Sequence, residues 1–344
     1  MVKAGIIGCG KIAQVRHIPE YHANPNALII GYYDFNLQRA QEMAKKFGGK
    51  AYNSLEELLK DSQIDAVSVC VANNAHAEVT VRALSAGKHV LCEKPMATNI
   101  EDCERMVAAA KKNGKLLMIG QNQRLMKAHR RAKDLIEEGV IGKVLTFRST
   151  FGHRGPETWS VDKGPDSWFF DKNRAGMGAM ADLGVHKTDL IQYLINAKVV
   201  RTTAVVRTLD KKDSEGSLIG VDDNALCIFE MDNGVIGTVT ASWTYYGAND
   251  NSTSIYGTGG IMKISGNPLD PIEIIKKDGS RLLYDPGQIQ KNNDQIVSGV
   301  IDAFVASIIS GEEPAVSGES VLSAMKVVFA SIQSSQLHKT IEII

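Results

Sequence analysis

A glycine-rich turn near the N-terminus has the residue types and spacing of an anion-binding site. Residues 8–13 read GCGKIA; they follow a predicted strand and open a predicted helix. The first glycine permits a tight turn, the second lets a pyrophosphate approach the backbone, and the small Ala13 allows close helix–strand packing. The helix N-terminus supplies N–H groups to the anion. The pattern predicts a dinucleotide site formed by Gly8, Gly10, Lys11 and Ile12; the alternative is a tight turn without a ligand.

An acidic residue stands where such a site needs one. Asp34 ends the second predicted strand, about 20 residues beyond the glycine turn, which is the spacing of the acid that binds the adenosine ribose. A carboxylate accepts a hydrogen bond from a 2′-hydroxyl and repels a 2′-phosphate. The spacing of Arg39 predicts the exposed face of the next helix, away from such a phosphate. We therefore expect NAD in preference to NADP.

A lysine follows another predicted strand. The segment Glu93-Lys94-Pro95 ends the strand predicted over His89–Cys92, and ligands bind at the carboxyl ends of parallel strands. A lysine placed there can hydrogen-bond a reacting hydroxyl. The alternative is a surface turn with solvated charges.

A carboxylate and an imidazole are spaced for one helix face. Asp182 and His186 lie four apart on a helix predicted to run to Ile195, so they share a face. A carboxylate beside an imidazole raises its basicity and orients it for proton abstraction. Asp189 is expected to support the pair. The alternative is a capping aspartate and a core histidine. No third residue completes a metal site here, so no metal is expected.

The elements that must position these residues fall into two groups. Over residues 1–122, strands without internal polar alternation alternate with helices, which predicts an α/β domain with a parallel sheet covered on both faces. Its predicted strands are Val2–Ile7, Ala27–Tyr33, Ala66–Val71, His89–Cys92 and Leu116–Ile119. Its predicted helices are Ile12–Ala23, Leu37–Phe47, His76–Ala86 and Ile100–Lys112.

Residues 123–344 predict an α+β domain with a largely antiparallel sheet. Its predicted strands are Lys143–Thr150, Val199–Thr208, Asn224–Met231, Val235–Tyr245, Asn251–Tyr256 and Gly260–Ile264. Its predicted helices include Lys127–Glu138, Asp294–Ser310 and Gly318–Gln333. The long segment 152–178, rich in glycine, proline and aromatic residues, predicts a functional loop.

Composition excludes several classes of protein. The 344 residues carry 39 Lys plus Arg and 39 Asp plus Glu, so bulk charge gives no argument for nucleic acid. No apolar run reaches the length of a membrane helix, which argues against a membrane partner. The five cysteines are widely spaced and mostly in apolar surroundings, as is typical of reduced thiols in a cytoplasmic protein.

Together these motifs resemble the glucose–fructose oxidoreductase / inositol dehydrogenase family over nearly the whole chain. The resemblance rests on residues 8–13, Asp34, residues 67–74 with His76, Glu93-Lys94-Pro95, Arg124 and residues 176–189. It implies an N-terminal Rossmann domain, sugar or cyclitol substrates, and a C-terminal domain with a largely antiparallel open sheet that forms a homodimer or homotetramer. One departure is that Met177 stands between Gly176 and Gly178, where the family commonly has three glycines.

The resemblance also implies roles for individual residues. Lys94, Asp182 and His186 match the catalytic positions, with His186 as the proton acceptor. Asn73, Asn74, His76, Glu93 and Lys94 match the residues that line the cofactor, and a cis peptide is implied before Pro95. Substrate contacts are expected from Asn122, Arg124, His153, Arg154, Trp159, Trp168 and Phe169, because aromatic faces stack on sugar rings. The alternative for the loop is internal packing or subunit contact.

Three functions are compatible with these motifs. The first is oxidation of a secondary alcohol by an exchangeable NAD. The second is a redox-neutral reaction on a retained NAD, as in an NAD-dependent glycosidase. The third is a non-catalytic NAD-binding regulator, which the presence of Lys94, Asp182 and His186 disfavours. The first is preferred, and the ring position attacked is left open.

Overall fold

A computed structural model describes residues 1–265, 270–285, 291–292 and 295–343. The chain forms two compact units. The first contains Met1–Asn122 and Gln290–Leu322, and the second contains Gln123–Ile289 and Ser323–Ile344. The first change of unit along the chain follows residue 122.

The first unit is built on a parallel sheet, as predicted. Within the described residues the sheet has six strands: β1 (Val2–Ile7), β2 (Ala27–Tyr33), β3 (Lys50–Ala51), β4 (Ala66–Val69), β5 (His89–Cys92) and β6 (Leu117–Ile119). Their order is β3-β2-β1-β4-β5-β6, which is the doubly wound order of dinucleotide-binding sheets. The helices are α1 (Ile18–Ala23), α2 (Leu37–Phe47), α3 (Leu55–Lys60), α4 (His76–Ser85) and α5 (Ile100–Asn113). The sequence analysis missed β3 and α3, which are short.

The helix predicted over Ile12–Ala23 is interrupted. A π-helical turn occupies Ala13–His17, and α1 begins only at Ile18. Pro19 lies in the first turn of α1, where its missing N–H costs nothing. A proline deeper in a continuous helix would break the i→i−4 ladder, so the wider turn before it is the expected accommodation.

The second unit contains a mixed sheet that is mostly antiparallel, in agreement with the prediction. Its first elements are α6 (Lys127–Glu137), β7 (Val144–Gly152), α7 (Lys172–Ala175), α8 (Val185–Ile195), β8 (Val199–Arg207), β9 (Asn224–Met231), β10 (Ile236–Ser242), β11 (Thr253–Gly257), β12 (Gly260–Ile264), β13 (Ile272–Lys276) and β14 (Arg281–Tyr284). The strands β13 and β14 were not predicted. The one parallel pair identified, β7 with β10, brings the carboxyl ends of both strands to the same edge.

The last elements are the strand pair β15 (Lys291–Asn292) and β16 (Gln295–Ile296), then α9 (Val300–Ser310), α10 (Gly318–Leu337) and β17 (Ile341–Glu342). Over the described ranges the large sheet has nine strands in the order β14-β13-β12-β11-β7-β10-β9-β8-β17. Its strands alternate: Phe229 and Val239 are buried, whereas Val205, Leu226 and Ile228 are more than half exposed on the other face.

The predicted domain 123–344 needs one correction, because residues 290–322 belong to the first unit. The helix α9 contacts α1 and β1 through its buried face, which includes Ile301 and Phe304. Just before α9, Ser298 donates from its backbone N–H (2.8 Å) and its hydroxyl (2.8 Å) to the Glu20 carboxylate. The predicted start of this helix, Asp294, lies outside the described residues.

Two further features concern the cysteines and the helices. All five cysteines are buried free thiols. Among the described helices, none has both the length and the hydrophobicity required to cross a bilayer.

Candidate active site

The two glycines of the N-terminal turn have different surroundings. Gly8 has φ +91°, and a Cβ there would lie 2.5 Å from the carbonyl oxygen of Cys70, so only glycine fits. A Cβ at Gly10 would meet no atom within 4 Å. The backbone is therefore open on the side where a pyrophosphate would approach, next to the start of a helical segment. These residues fit a bound dinucleotide, with Lys11 exposed and Ile12 partly exposed beside them.

Asp34 lies at the rim of this turn. Its carboxylate accepts hydrogen bonds from the backbone N–H of Cys9 (2.6 Å) and of Asn36 (2.8 Å). A carboxylate has about four lone-pair sites, so Asp34 keeps acceptor capacity for a ribose hydroxyl. Burial, followed by the charge of Asp34, raises the pKa of the Cys9 thiol to about 12, which keeps this thiol protonated. Arg39 is partly buried rather than on the fully exposed face that its spacing suggested.

A buried carboxylate, that of Glu93, accepts a hydrogen bond from the turn that carries Lys94. Glu93 accepts from Nε2 of the buried His17 at 2.9 Å and from the N–H of Lys94 at 3.2 Å. Burial alone would raise the pKa of Glu93, but His17, Arg16 and Lys94 together lower it to about 2. Glu93 is thus an anion that anchors the end of β5.

His76 supports the same turn from the side. The Lys94–Pro95 peptide is cis, as the resemblance implied. Nδ1 of His76 lies 2.7 Å from the carbonyl oxygen of Pro95, and Nε2 lies 3.1 Å from that of Val71. Burial lowers the pKa of His76, and a neutral ring donates only one of these bonds. Asn73 is buried and Asn74 is exposed in the turn that precedes His76. Their contact with a cofactor stays a prediction.

Asp182 and His186 lie on consecutive turns of different geometry. Asp182 belongs to a π-helical turn over Met180–Gly184, and His186 belongs to the first turn of α8. Both side chains are buried, at 5% and 6% exposure. The indole Nε1 of the buried Trp243 donates to Oδ2 of Asp182 at 3.0 Å. Asp182 is thereby fixed to the edge where β10 ends.

The glycines before this turn explain the departure from the family pattern. Gly176 has φ +74°, and a Cβ at Gly178 would lie 1.8 Å from the carbonyl oxygen of Asp222, so both positions require glycine. Met177 between them packs in the core at 8% exposure. Burial raises the pKa of Asp222 to about 6, although the N–H groups of Met180 and Gly178 oppose this rise by donating to the carboxylate.

Asp189, which we expected to support Asp182 and His186, forms an ion pair with Arg124. Arg124 donates from Nε to Oδ2 of Asp189 at 2.6 Å and also from Nη2 to Oδ1, which makes a bidentate ion pair. Burial raises the pKa of Asp189 and the Arg124 charge opposes this. One edge of the Arg124 guanidinium is therefore engaged inside the second unit. Its contact with substrate, and that of the partly buried Asn122, stay predictions.

The long loop is packed through aromatic rings. Trp168 stacks on Phe169 with ring centroids 3.9 Å apart, and Trp159 lies 5.4 Å from Phe169. Phe169 in turn contacts the ring of Trp243 edge-on at 6.4 Å. The loop is therefore connected to the residue that holds Asp182. At the other end, His153 contacts Trp159.

Sequence reasoning missed Phe151 and Trp243. The Phe151 ring lies 5.9 Å from the ring of His186, and Trp243 follows β10 directly. An aromatic residue at the end of a strand was the available signal. Their pairing with His186 and Asp182 depends on the sheet register. Within the described residues, no group of three or more His, Cys, Asp or Glu side chains is placed to hold a metal ion.

The strand order and the open glycine turn of the first unit are those of a nucleotide-binding fold, and the comparison with known families identifies the class as an oxidoreductase. A family model described as "Oxidoreductase family, NAD-binding Rossmann fold" matches residues 2–121, and a second, described as "GFO/IDH/MocA C-terminal domain", matches residues 129–263. The chain belongs to the glucose–fructose oxidoreductase / inositol dehydrogenase (GFO/IDH/MocA) family.

Similar proteins agree with this assignment. Myo-inositol 2-dehydrogenase of Thermotoga maritima is 28% identical, over 99% of this chain and 98% of its own. Glucose-6-phosphate 3-dehydrogenase of Bacillus subtilis is 30% identical, over 70% of this chain and 68% of its own. A solved levoglucosan dehydrogenase in complex with NADH and levoglucosan superposes with a TM-score of 0.86 at 25% identity, covering 100% of this chain and 99% of the other.

Proposed function

We propose that the protein oxidises a secondary alcohol of a sugar, a cyclitol or a derivative of these. The observation that carries the proposal is the pair formed by Asp182 and His186. Both are buried on consecutive turns, and Asp182 is fixed by Trp243. A buried carboxylate on the turn before a buried imidazole suits proton abstraction better than surface binding.

His186 accepts the hydroxyl proton in this proposal, and Asp182 stabilises the imidazolium that forms. Lys94 donates a hydrogen bond to the reacting oxygen and stabilises its developing negative charge. Bound NAD supplies the nicotinamide C4 that accepts the hydride. Glu93 and His76 hold the backbone on either side of Lys94, so the ammonium group is presented from a fixed turn.

The proposed cofactor is NAD in preference to NADP. Asp34 supports this, because its carboxylate accepts from hydroxyls and repels a phosphate. Arg39 is the residue that weakens the argument, since it is partly buried and close enough to influence the Cys9 thiol electrostatically. Calorimetric titration with both cofactors tests the preference, and comparable Kd values would contradict it.

The proposed substrate class follows from the loop and from the relatives. Trp159, Trp168 and Phe169 are partly exposed rings, which suit the C–H faces of a sugar ring. The named relatives act on an inositol, a phosphorylated glucose and levoglucosan. His153 is included among the proposed substrate contacts because its ring contacts that of Trp159.

Two further expectations belong to the proposal. The exposed face of β8, β9 and β10, with Val205, Leu226 and Ile228, is the surface proposed to form a homodimer or homotetramer. The cytoplasm stays the proposed location, and it rests on the five buried thiols.

The direct experiment follows NADH absorbance with the purified protein, NAD and a panel of inositols, aldoses, sugar acids and nucleotide sugars. Lys94→Ala is the test variant, and Lys112→Ala, an exposed lysine at the end of α5, is the matched control. We expect a substrate whose turnover is lost in the first variant and kept in the second. Turnover that survives Lys94→Ala would contradict the role of Lys94.

Silence across the panel would favour the redox-neutral alternative on a retained NAD. The next measurement would then be the NAD content of the purified protein, followed by release of sugar from a glycoside without net NADH.

A further inference from the structure

Three consecutive backbone N–H groups at the start of the Asp182 turn all donate hydrogen bonds to one residue, Asp222. The Asp222 carboxylate accepts from the N–H of Gly178 at 2.8 Å and, through its other oxygen, from that of Met180 at 2.7 Å. The backbone oxygen of Asp222 accepts from the N–H of Ala179 at 2.8 Å. A helical segment leaves its first N–H groups without internal acceptors, and a carboxylate there is electrostatically favoured.

Asp222 and the residue that binds Asp182 are tied to the same edge of the sheet. Asp222 and Asp223 immediately precede β9, whose first residue pairs with the last residue of β10. The N–H of Trp243 donates to the backbone oxygen of Asp223 at 2.8 Å. The Trp243 indole then donates to Asp182. The backbone at the start of the Asp182 turn is therefore bonded to Asp222, and the Asp182 side chain is bonded to Trp243, at the same edge of the sheet.

We propose that Asp222 is a positioning residue for Asp182 and His186. Asp222 accepts hydrogen bonds from the N–H groups of residues 178–180 and so fixes the backbone of the turn that leads into α8. This backbone places the Asp182 carboxylate within hydrogen-bonding distance of the Trp243 indole. The inference rests on the proposed function for its effect on turnover, but the placement of Asp182 can be read without any substrate.

The test variant is Asp222→Asn, which keeps the shape but replaces one of the two acceptor oxygens by an amide that donates. The matched control is Asp223→Asn. Asp223 is fully buried and its carboxylate also accepts three backbone N–H groups, but these belong to residues 209–211, away from the Asp182 turn. Equal loss of turnover in both variants would overturn the proposal, because it would show general destabilisation and no specific role of Asp222.

The first readout is the indole N–H resonance of Trp243 in a 1H–15N spectrum of the full chain. The protein has three tryptophans, and Trp243→Phe identifies the signal. A hydrogen bond to a carboxylate deshields the indole proton. We expect Asp222→Asn to shift this signal upfield and Asp223→Asn to leave it in place. An unmoved signal in folded Asp222→Asn protein overturns the proposal.

The second readout is the division between kcat and KM on a substrate found in the absorbance assay. Misplacement of a catalytic group by about 1 Å costs about 10²-fold in rate, so we expect kcat to fall by about 10- to 100-fold with KM within about threefold. A change confined to KM overturns the proposal. A silent substrate panel counts against the proposed function, whereas the indole measurement still decides the role of Asp222.

If Asp222→Asn does not yield folded protein, both readouts are taken on Asp222→Glu. This variant keeps the charge but moves the carboxylate by one methylene. A displaced Trp243 resonance with a smaller loss of kcat supports the positioning role. A Trp243 resonance unchanged from wild type overturns it.

Discussion

The turn after β1 and the turn before α8 have the same backbone arrangement but differ in what they bind. In each, a glycine with positive φ (Gly8, Gly176) is followed two residues later by a second glycine, then by a π-helical turn and an α-helix. The second glycine makes the difference. Gly10 faces open space, whereas Gly178 is closed by Asp222. The first turn is left open for an external anion, and the second is filled by the protein's own carboxylate.

The two turns also differ in what they present. The first offers backbone N–H groups and an open approach, which suit binding. The second leads to two buried side chains that can hold and move a proton. Binding and proton transfer are therefore expected to respond separately to substitution.

The largest expected effect is the separation of rate from cofactor affinity. His186→Ala should lower kcat by about 10²- to 10⁴-fold, the usual contribution of a general base, with little change in the Kd for NAD. Asp34→Ala should do the reverse, weakening NAD binding while kcat at saturating NAD is largely kept. Steady-state kinetics and calorimetry on both variants check this. An unchanged kcat in His186→Ala would remove His186 from the mechanism.

A pair of glycine substitutions tests the difference between the open and the closed turn. Gly178→Ala forces a methyl group against the Asp222 backbone, so we expect the free energy of unfolding to fall by about 3 kcal/mol or more. Gly10→Ala should change it by less than about 1 kcal/mol and instead weaken NAD binding. Denaturant unfolding of both variants, with NAD titration of the second, measures these effects. Comparable destabilisation by the two would show that the turns are equally closed.

The smallest expected effect concerns the basic side chains buried after each turn. His17 is paired with Glu93, but Lys187 has a carbonyl and a hydroxyl as its closest identified partners, Asn251 at 3.0 Å and Thr253 at 3.4 Å. Burial lowers the pKa of Lys187 to about 7, against a smaller opposing effect of Asp250. Between this pKa and the ordinary value of about 10.5, the unfolded chain holds the proton and the folded chain does not. Folding stability should therefore rise with pH over that window.

Lys187→Met removes this dependence and keeps the packing volume. Relative to the variant, the wild type should gain up to about 1.4 kcal/mol in unfolding free energy per pH unit above pH 7, before the curve flattens. Denaturant unfolding at several values between pH 7 and pH 9 measures the difference. A constant offset between the two proteins would show that Lys187 keeps an ordinary pKa.

Much of the first unit could be predicted because its chemistry lies at strand ends. Gly8, Asp34 and Lys94 each follow a buried parallel strand, so strand–helix alternation already places them at one edge of the sheet. The π-helical turn before Pro19 and the short elements β3 and α3 were not predicted. Elements of two and six residues carry little periodicity. The return of α9 to this unit was not predicted either, because contacts with α1 leave no local trace in the chain.

In the second unit the sequence determined residue types, and the tertiary structure decided their partners. The spacing of Asp182 and His186 indicated a functional helix, and the alternation over residues 224–245 indicated a sheet with one covered face and one exposed face. The contacts that fix the site join residues far apart: Trp243 to Asp182, 61 positions away, Asp222 to Gly178, 44 away, and Arg124 to Asp189, 65 away. The first two depend on the pairing of β9 with β10, which brings the start of β9 beside the end of β10, and the third depends on the segment before α6 lying against α8. Local propensity determines a turn or a helix, but only the assembled sheet decides which distant carboxylate reaches which N–H group.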